Sequence, residues 1–312
     1  MAKILVTGAS GLLGSNLVLE AVQHHDVIAV SHTHPVCLEG AETVLADLSL
    51  PENANRIICQ YAPDWVIHCA AYTNVDQCEK NPDIAFRLNR DMSRWVAQAT
   101  KTCGGRLVYI STDAVFDGSK SGYGEEDIPQ PNNIYSQSKL DGERVATEED
   151  PDVMIVRTNF YGWNAGEKKS LAEWFLEHLE EGRICRGFTD VFVKLLLVND
   201  LVDLLLQMME RKCEGIYHVL GNDCTSKYGF GIQLAQVFKL DERLIQPANL
   251  DQIGLLAPRA RNLCLDTSKV SNVLGREMPS VETGLCRFYE LKQRGYPKSL
   301  KSLIGEKNYE GN

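Results

Sequence analysis

Across its 312 residues the chain has no Cys-x-x-Cys pair, no internal repeat, no low-complexity stretch and no long uninterrupted apolar run. Its most apolar region, Val191 to Met209, is broken by Lys194, Asn199, Asp200 and Asp203, whereas a membrane helix needs about 20 consecutive apolar residues. No membrane partner is expected. The first strand-like run begins at Lys3, so no N-terminal targeting signal is expected either. Basic residues are outnumbered, 32 Lys and Arg against 42 Asp and Glu, giving a formal net charge of −10. That balance argues against nucleic acid or an anionic membrane as the main partner. It leaves room for an anionic small molecule, which needs only a local cluster of donors.

Cysteines are present but scattered: Cys37, Cys59, Cys69, Cys78, Cys103, Cys185, Cys213, Cys224, Cys264 and Cys286. With no local pairs, neither a zinc clip nor a disulfide framework is expected. Several fall in apolar segments, where a thiol acts as a small hydrophobe. Unpaired thiols fit a reducing, cytoplasmic location. His24, His25, His32 and His34 have no partner at ligand spacing, so no metal is expected.

What the sequence does have is alternation. Short β-branched runs and amphipathic segments succeed one another through the first half, as a doubly wound parallel sheet requires. Strands are predicted at Lys3–Thr7, Val27–Val30, Thr43–Ala46, Trp65–Ala70, Arg106–Ser111 and Val153–Arg157. Helices are predicted over about Leu12–Val22, Pro51–Tyr61, Pro82–Thr100 and Lys139–Thr147. Beyond Phe160 the pattern loosens: helices at about Ser170–Glu181 and 199–211, with Asn199 as N-cap, then a strand Ile216–Val219 and a helix Gly229–Phe238. The expected fold is α/β, a Rossmann-like doubly wound parallel sheet with a smaller mixed C-terminal substrate lobe and a polar tail from Lys298. Residues 1–158 plus about 188–222 would form the dinucleotide-binding domain. About 159–187 and 223–312 would form the lobe.

The first strand runs into Gly8-Ala9-Ser10-Gly11-Leu12-Leu13-Gly14 and then a helix. Gly8 permits a sharp turn, Gly11 lets the backbone approach a pyrophosphate, and Gly14 lets the helix lie close on the strand. The helix start then offers unpaired N–H groups and a positive dipole to the anion. Tyr135 and Lys139 stand four residues apart, which on a helix puts both on one face. An ammonium there can hold a ribose hydroxyl and favour phenolate over phenol. Thr112 closes the fifth strand at its carboxyl end, where open α/β sheets place ligands. Hydroxyl, phenol and ammonium together can hold a carbonyl and protonate it while hydride arrives.

These features, with Ala46-Asp47-Leu48, His68 to Asp76, Leu88-Asn89, Ser111 to Gly118, Tyr135 to Glu143, Val156-Arg157-Thr158 and Leu265 to Lys269, resemble the extended short-chain dehydrogenase/reductase family. The branch is that of dTDP-4-dehydrorhamnose reductase, and the resemblance spans nearly the whole chain. It implies an NAD(P)H-dependent reductase of a nucleotide-activated 4-keto-6-deoxysugar. Tyr135 would be the proton donor, Lys139 would bind the nicotinamide ribose, and Thr112 would orient the carbonyl. Gly8, Ser10, Gly11, Leu12, Leu13 and Gly14, with Asp47, Leu48, Ala70, Ala71 and Tyr72, would line the cofactor cleft. Thr73, Val75, Ala114 and Phe160 would face the sugar. Ala114 replaces a usual aromatic residue and Phe160 a usual tryptophan, and Ala114 cannot serve as the dehydratases' acid. The second strand ends Ser31-His32 without an acidic residue. That favours NADP(H) over NAD(H), with Ser31 and His32 as 2′-phosphate donors. Two other readings share the motifs: an NADP-binding regulatory subunit similar to methionine adenosyltransferase β, with a partner enzyme, and a nucleotide-sugar epimerase. Members of the family are often homodimers.

Overall fold

The computed structural model describes residues 1–304. β1 (Lys3–Thr7), α1 (Leu12–Ala21), β2 (Asp26–Ser31), β3 (Ala41–Leu45), α2 (Pro51–Tyr61) and β4 (Trp65–His68) open the chain. α3 (Val75–Lys80), α4 (Pro82–Phe86), a π turn at Arg87–Asp91 and α5 (Met92–Thr102) lead to β5 (Arg106–Thr112). A 3₁₀ turn at Asp113–Val115, α6 (Ile134–Glu149) and β6 (Met154–Thr158) follow. Then come β7 (Phe160–Tyr161), α7 (Leu171–Glu180), β8 (Cys185–Phe188), β9 (Phe192–Val193), β10 (Leu196–Leu197), α8 (Val198–Glu210) and β11 (Gly215–His218). β12 (Thr225–Ser226), α9 (Lys227–Phe238), β13 (Ile245–Ala248), β14 (Asn262–Leu263), α10 (Ser268–Leu274), α11 (Val281–Gln293) and α12 (Tyr296–Lys301) complete the described chain.

Seven strands form one parallel sheet in the order β11-β6-β5-β4-β1-β2-β3. The chain runs outward from β1 through β2 and β3, then returns to build β4, β5 and β6 on the other side. The reversal between β1 and β4 is the crevice where such sheets bind ligands. Strand residues alternate between two apolar layers, as a period of two dictates. Ile4 and Val6 pack on the α1 side with Leu17 and Leu201, while Leu5 faces Ile57, Val96 and Ala146. Among the described residues no helix is long and apolar enough to cross a membrane.

Several expectations are corrected. The helix foreseen from Pro82 to Thr100 is broken into pieces around the π turn. Asn199 is not a cap: Leu197 takes that place, and the Asn199 amide instead bonds Glu20 and Tyr296. The tail begins later than Lys298, because α12 buries Leu300 and the chain after it buries Leu303; residues 305–312 lie outside the described part. The cysteines are not all unpaired. Cys59–Cys103 and Cys224–Cys264 are disulfide-bonded, each with Cα atoms 5.5 Å apart. The partners lie 44 and 40 residues apart in sequence, a proximity created by folding that no local spacing encodes.

Candidate active site

Gly8 ends β1 at φ +65, and a Cβ there would meet the Ala70 nitrogen at 2.7 Å. A Cβ on Gly14 would meet the Gly8 carbonyl oxygen at 2.2 Å. Both positions therefore need glycine, one for its backbone and contact, the other for contact alone. α1 starts after Gly11, which lines the crevice, with no side-chain cap, so no cap side chain takes up the N–H groups of its first turn. Beside them lies a cleft of about 270 Å³ bounded by Gly8, Ser10, Gly11, Ser31, His32, Asp47, Leu48, Ala70 and Ala71. A glycine cradle, free helix N–H groups and an elongated cleft across the sheet reversal fit the diphosphate and adenosine of a dinucleotide. Leu12, Leu13, Gly14 and Tyr72 do not line this cleft. Val30, Thr33, Ala46, Cys69, Leu88 and Met92 also line it, and the sequence reading did not select them.

At the far end of β2, Ser31 is buried while His32 is exposed, its Nε2 3.8 Å from Asp47 Oδ2. Burial opposes ionisation of Asp47, but hydrogen bonds from Ser49 outweigh it and hold the carboxyl below its usual range. Arg87 adds favourable charge there from the exposed side of the π turn. It too escaped sequence reading.

α6 begins with Asn133, whose Oδ1 accepts from Ser136 N at 2.9 Å, and carries Tyr135, Lys139 and Glu143 down one face. Tyr135 stands near the Thr112 hydroxyl, whose influence on the phenol opposes that of burial. Thr112 Oγ1 also donates to Asp113 Oδ1 at 3.2 Å and accepts from Ala114 N at 3.2 Å. Lys139 is 3% exposed; its Nζ donates to the Ile110 carbonyl at 2.8 Å and lies 4.1 Å from the Tyr109 ring centroid.

Lys139 Nζ is directed at the Ile110 carbonyl. Burial raises Tyr135 above the usual tyrosine value, and Lys139 is not among its influences. The ammonium itself is pulled down to about 7, chiefly by burial, with Glu143 opposing. Asp113 is pushed up to about 6 by burial, against hydrogen bonds from Asn159 and Thr112.

The lysine shift has a consequence for stability. Between about pH 7 and the ordinary 10.5, the unfolded chain holds a proton on Lys139 that the folded chain has shed. Folding stability from this residue therefore rises with pH across that window, and its penalty is complete below it. Lys139→Met removes the penalty. The variant should melt higher than wild type, by most below pH 7, with the gap closing as pH rises. Thermal unfolding of both proteins from about pH 6 to about pH 10 checks this; a gap independent of pH contradicts it.

Asn89 is another residue that the sequence reading left out of the site. It is fully buried inside the π turn. Its Oδ1 accepts from Tyr72 N at 2.7 Å, and its Nδ2 donates to Tyr72 O at 3.1 Å and Ser138 Oγ at 2.9 Å. It thus clamps the loop after β4 to α6, one turn from Tyr135. Leu88-Asn89 was visible as a shared stretch, but the π turn that aims the amide was not.

The expected sugar-facing residues sit on one rim. Thr73 and Val75 follow β4, Ala114 follows β5, and Phe160 follows β6. Thr73 Oγ1 accepts from Lys168 Nζ at 2.9 Å. Among the described residues no group of three His, Cys, Asp or Glu side chains could hold a metal ion.

Known proteins align with this arrangement over nearly its whole length. The chain is 31% identical over 285 residues to the probable low-salt glycan biosynthesis reductase Agl14 of Haloferax volcanii, covering 90% of this chain and 95% of that one. It is 30% identical to methionine adenosyltransferase 2 subunit beta of Pongo abelii, covering 89% of this chain and 84% of the other. The crystal structure of dTDP-4-dehydrorhamnose reductase from Bacillus anthracis in complex with NADP superposes with a TM-score of 0.83 at 29% identity, covering 93% of this chain and 99% of that one. The family model described as the RmlD substrate binding domain matches residues 2–293, and the chain belongs to that family.

Proposed function

We propose that the chain is an NADP(H)-dependent reductase of a nucleotide-activated 4-keto-6-deoxysugar. One observation carries the reading: Tyr135 and Lys139 on α6 stand with Thr112 at the carboxyl rim of the sheet, whose reversal forms the glycine cradle. When bound, the nicotinamide supplies hydride to the keto carbon. Tyr135 gives its phenolic proton to the carbonyl oxygen, so the ketone gains the two electrons and two hydrogens of an alcohol. Thr112 would fix the carbonyl by hydrogen bonding, and Lys139 would hold the nicotinamide ribose. Gly8, Gly11 and the α1 amides take the diphosphate. Asp47 and Leu48 take the adenosine end, with Ser31 and His32 beside its 2′ position. Residues 1–158 with about 188–222 carry the cofactor, and the remaining lobe carries the sugar.

A second reading is favoured by the likeness to methionine adenosyltransferase 2 subunit beta: a cofactor-holding regulatory subunit. One experiment separates them. Purified protein with NADPH is offered a panel of dTDP- and UDP-linked 4-keto-6-deoxysugars, and loss of NADPH absorbance is followed. Turnover on one of them supports the reductase. Tight NADPH binding with no turnover on any, and co-purification with a partner enzyme, supports the subunit.

A further inference from the structure

Lys227 is a cation placed where local physics disfavours one. It is the first residue of α9, directly after the cap Ser226, whose Oγ accepts from Gly229 N at 2.9 Å. The positive end of a helix repels a lysine there. The side chain is half-buried, with its Nζ 5.8 Å from the Phe188 ring centroid. Among the described residues it makes no hydrogen bond, and no carboxylate oxygen lies within 4.0 Å of it. Burial lowers its pKa and Arg259 lowers it further; only Asp113 opposes. Asp113 does not need it, since Asn159 Nδ2 donates to Asp113 Oδ2 at 2.7 Å and Thr112 takes the other oxygen. Arg259 is itself engaged by Asp76 at 3.0 Å and by the Ala257 carbonyl at 2.7 Å.

Partly desolvated charges are normally paired. A chain that breaks helix electrostatics, burial and like-charge spacing at one residue, within electrostatic reach of Asp113, the neighbour of Thr112, marks a functional position. We propose that Lys227 is a substrate-binding residue whose ammonium anchors an anionic oxygen group of the substrate, next to the Thr112–Asp113 end of the carbonyl site. This rests on the reading of the cleft as a sugar site. The group has two sources with one chemistry: the diphosphate that links sugar to nucleoside, or a carboxylate borne by the sugar ring.

The test is calorimetric binding to protein saturated with NADP⁺, comparing wild type, Lys227→Met and Lys227→Arg. The probes are dTDP, UDP-glucose and UDP-glucuronate. Lys227→Met should weaken binding about tenfold or more, the scale of one lost charge-assisted hydrogen bond, and Lys227→Arg should restore much of it. Loss for all three probes assigns the diphosphate; loss for UDP-glucuronate alone assigns a ring carboxylate. Unchanged binding by Lys227→Met overturns the proposal and leaves a charge-balancing role toward Asp113, as does failure of wild type to bind any probe. The ammonium makes no internal bond, so Lys227→Met should fold, with a melting temperature no lower than wild type. Lys227-dependent binding without turnover on any keto sugar would sink the reductase reading and leave this one standing.

Discussion

Replacing Tyr135 with phenylalanine lowers turnover about 10²–10⁴-fold, the usual contribution of a positioned proton donor, while the affinity for NADPH stays within twofold or so of wild type. The substitution deletes one oxygen and keeps the ring. α6 is capped independently by Asn133, and Lys139 is held by Ile110 and Tyr109 rather than by the phenol. Cofactor binding therefore has no route to the lost atom. Proton delivery does, because burial favours the protonated phenol and the Thr112 hydroxyl lies near it. The deficit should fall on kcat, since the phenol matters most as charge develops on the carbonyl oxygen. Steady-state kinetics on the accepted sugar, with NADPH titrated by fluorescence, reads both quantities. Equal turnover in the variant would remove Tyr135 from the chemistry, and with it the reductase assignment.

The parts of this site legible in the sequence are those whose requirement is local. Gly8 and Gly14 announce themselves because a strand, a tight turn and a helix must follow within a dozen residues, and the contacts at 2.7 and 2.2 Å show why nothing larger fits. Tyr135 and Lys139 are readable because helical spacing alone puts them on one face. Thr112 is readable as the last residue of an apolar strand. What stayed hidden depends on partners far away in the chain. Asn89 works through Tyr72 and Ser138, and only an inserted π turn aims it at both. Lys227 is one lysine among many until the fold sets it near Asp113 and Arg259. Cys59 and Cys103 look isolated until α2 and α5 pack side by side. The direction of Lys139 Nζ toward Ile110 was hidden as well, because that rotamer is set by tertiary packing and not by spacing.

Arg157 carries the largest expected effect on stability. Its guanidinium is 2% exposed and grips Glu143, Nη2 to Oε2 at 2.7 Å and Nε to Oε1 at 3.0 Å. A third nitrogen, Nη1, lies 3.4 Å from His218 Nε2. Glu143 also accepts from Ser111 Oγ at 2.5 Å. Ser111 precedes Thr112, and Glu143 follows Lys139 by one turn of α6, so this pair fixes the register between the strand end and the helix that carry the site. Arg157→Met leaves a buried carboxylate with the Ser111 hydroxyl and only the more distant Lys139 ammonium to offset it, and breaking such a pair costs about 3–5 kcal/mol. Removing both charges, as in Arg157→Met with Glu143→Met, eliminates the orphan and should recover most of that loss, because a buried pair and a well-packed apolar replacement are often close in free energy. Urea unfolding of wild type, both single variants and the double variant closes the cycle. A single-variant cost under about 1 kcal/mol, or a double variant no better than the singles, would show that the pair contributes little. The double variant also separates stability from catalysis. If it folds like wild type yet reduces poorly, Glu143 and Arg157 act by setting Thr112 against Tyr135; if it reduces normally, they serve the fold alone.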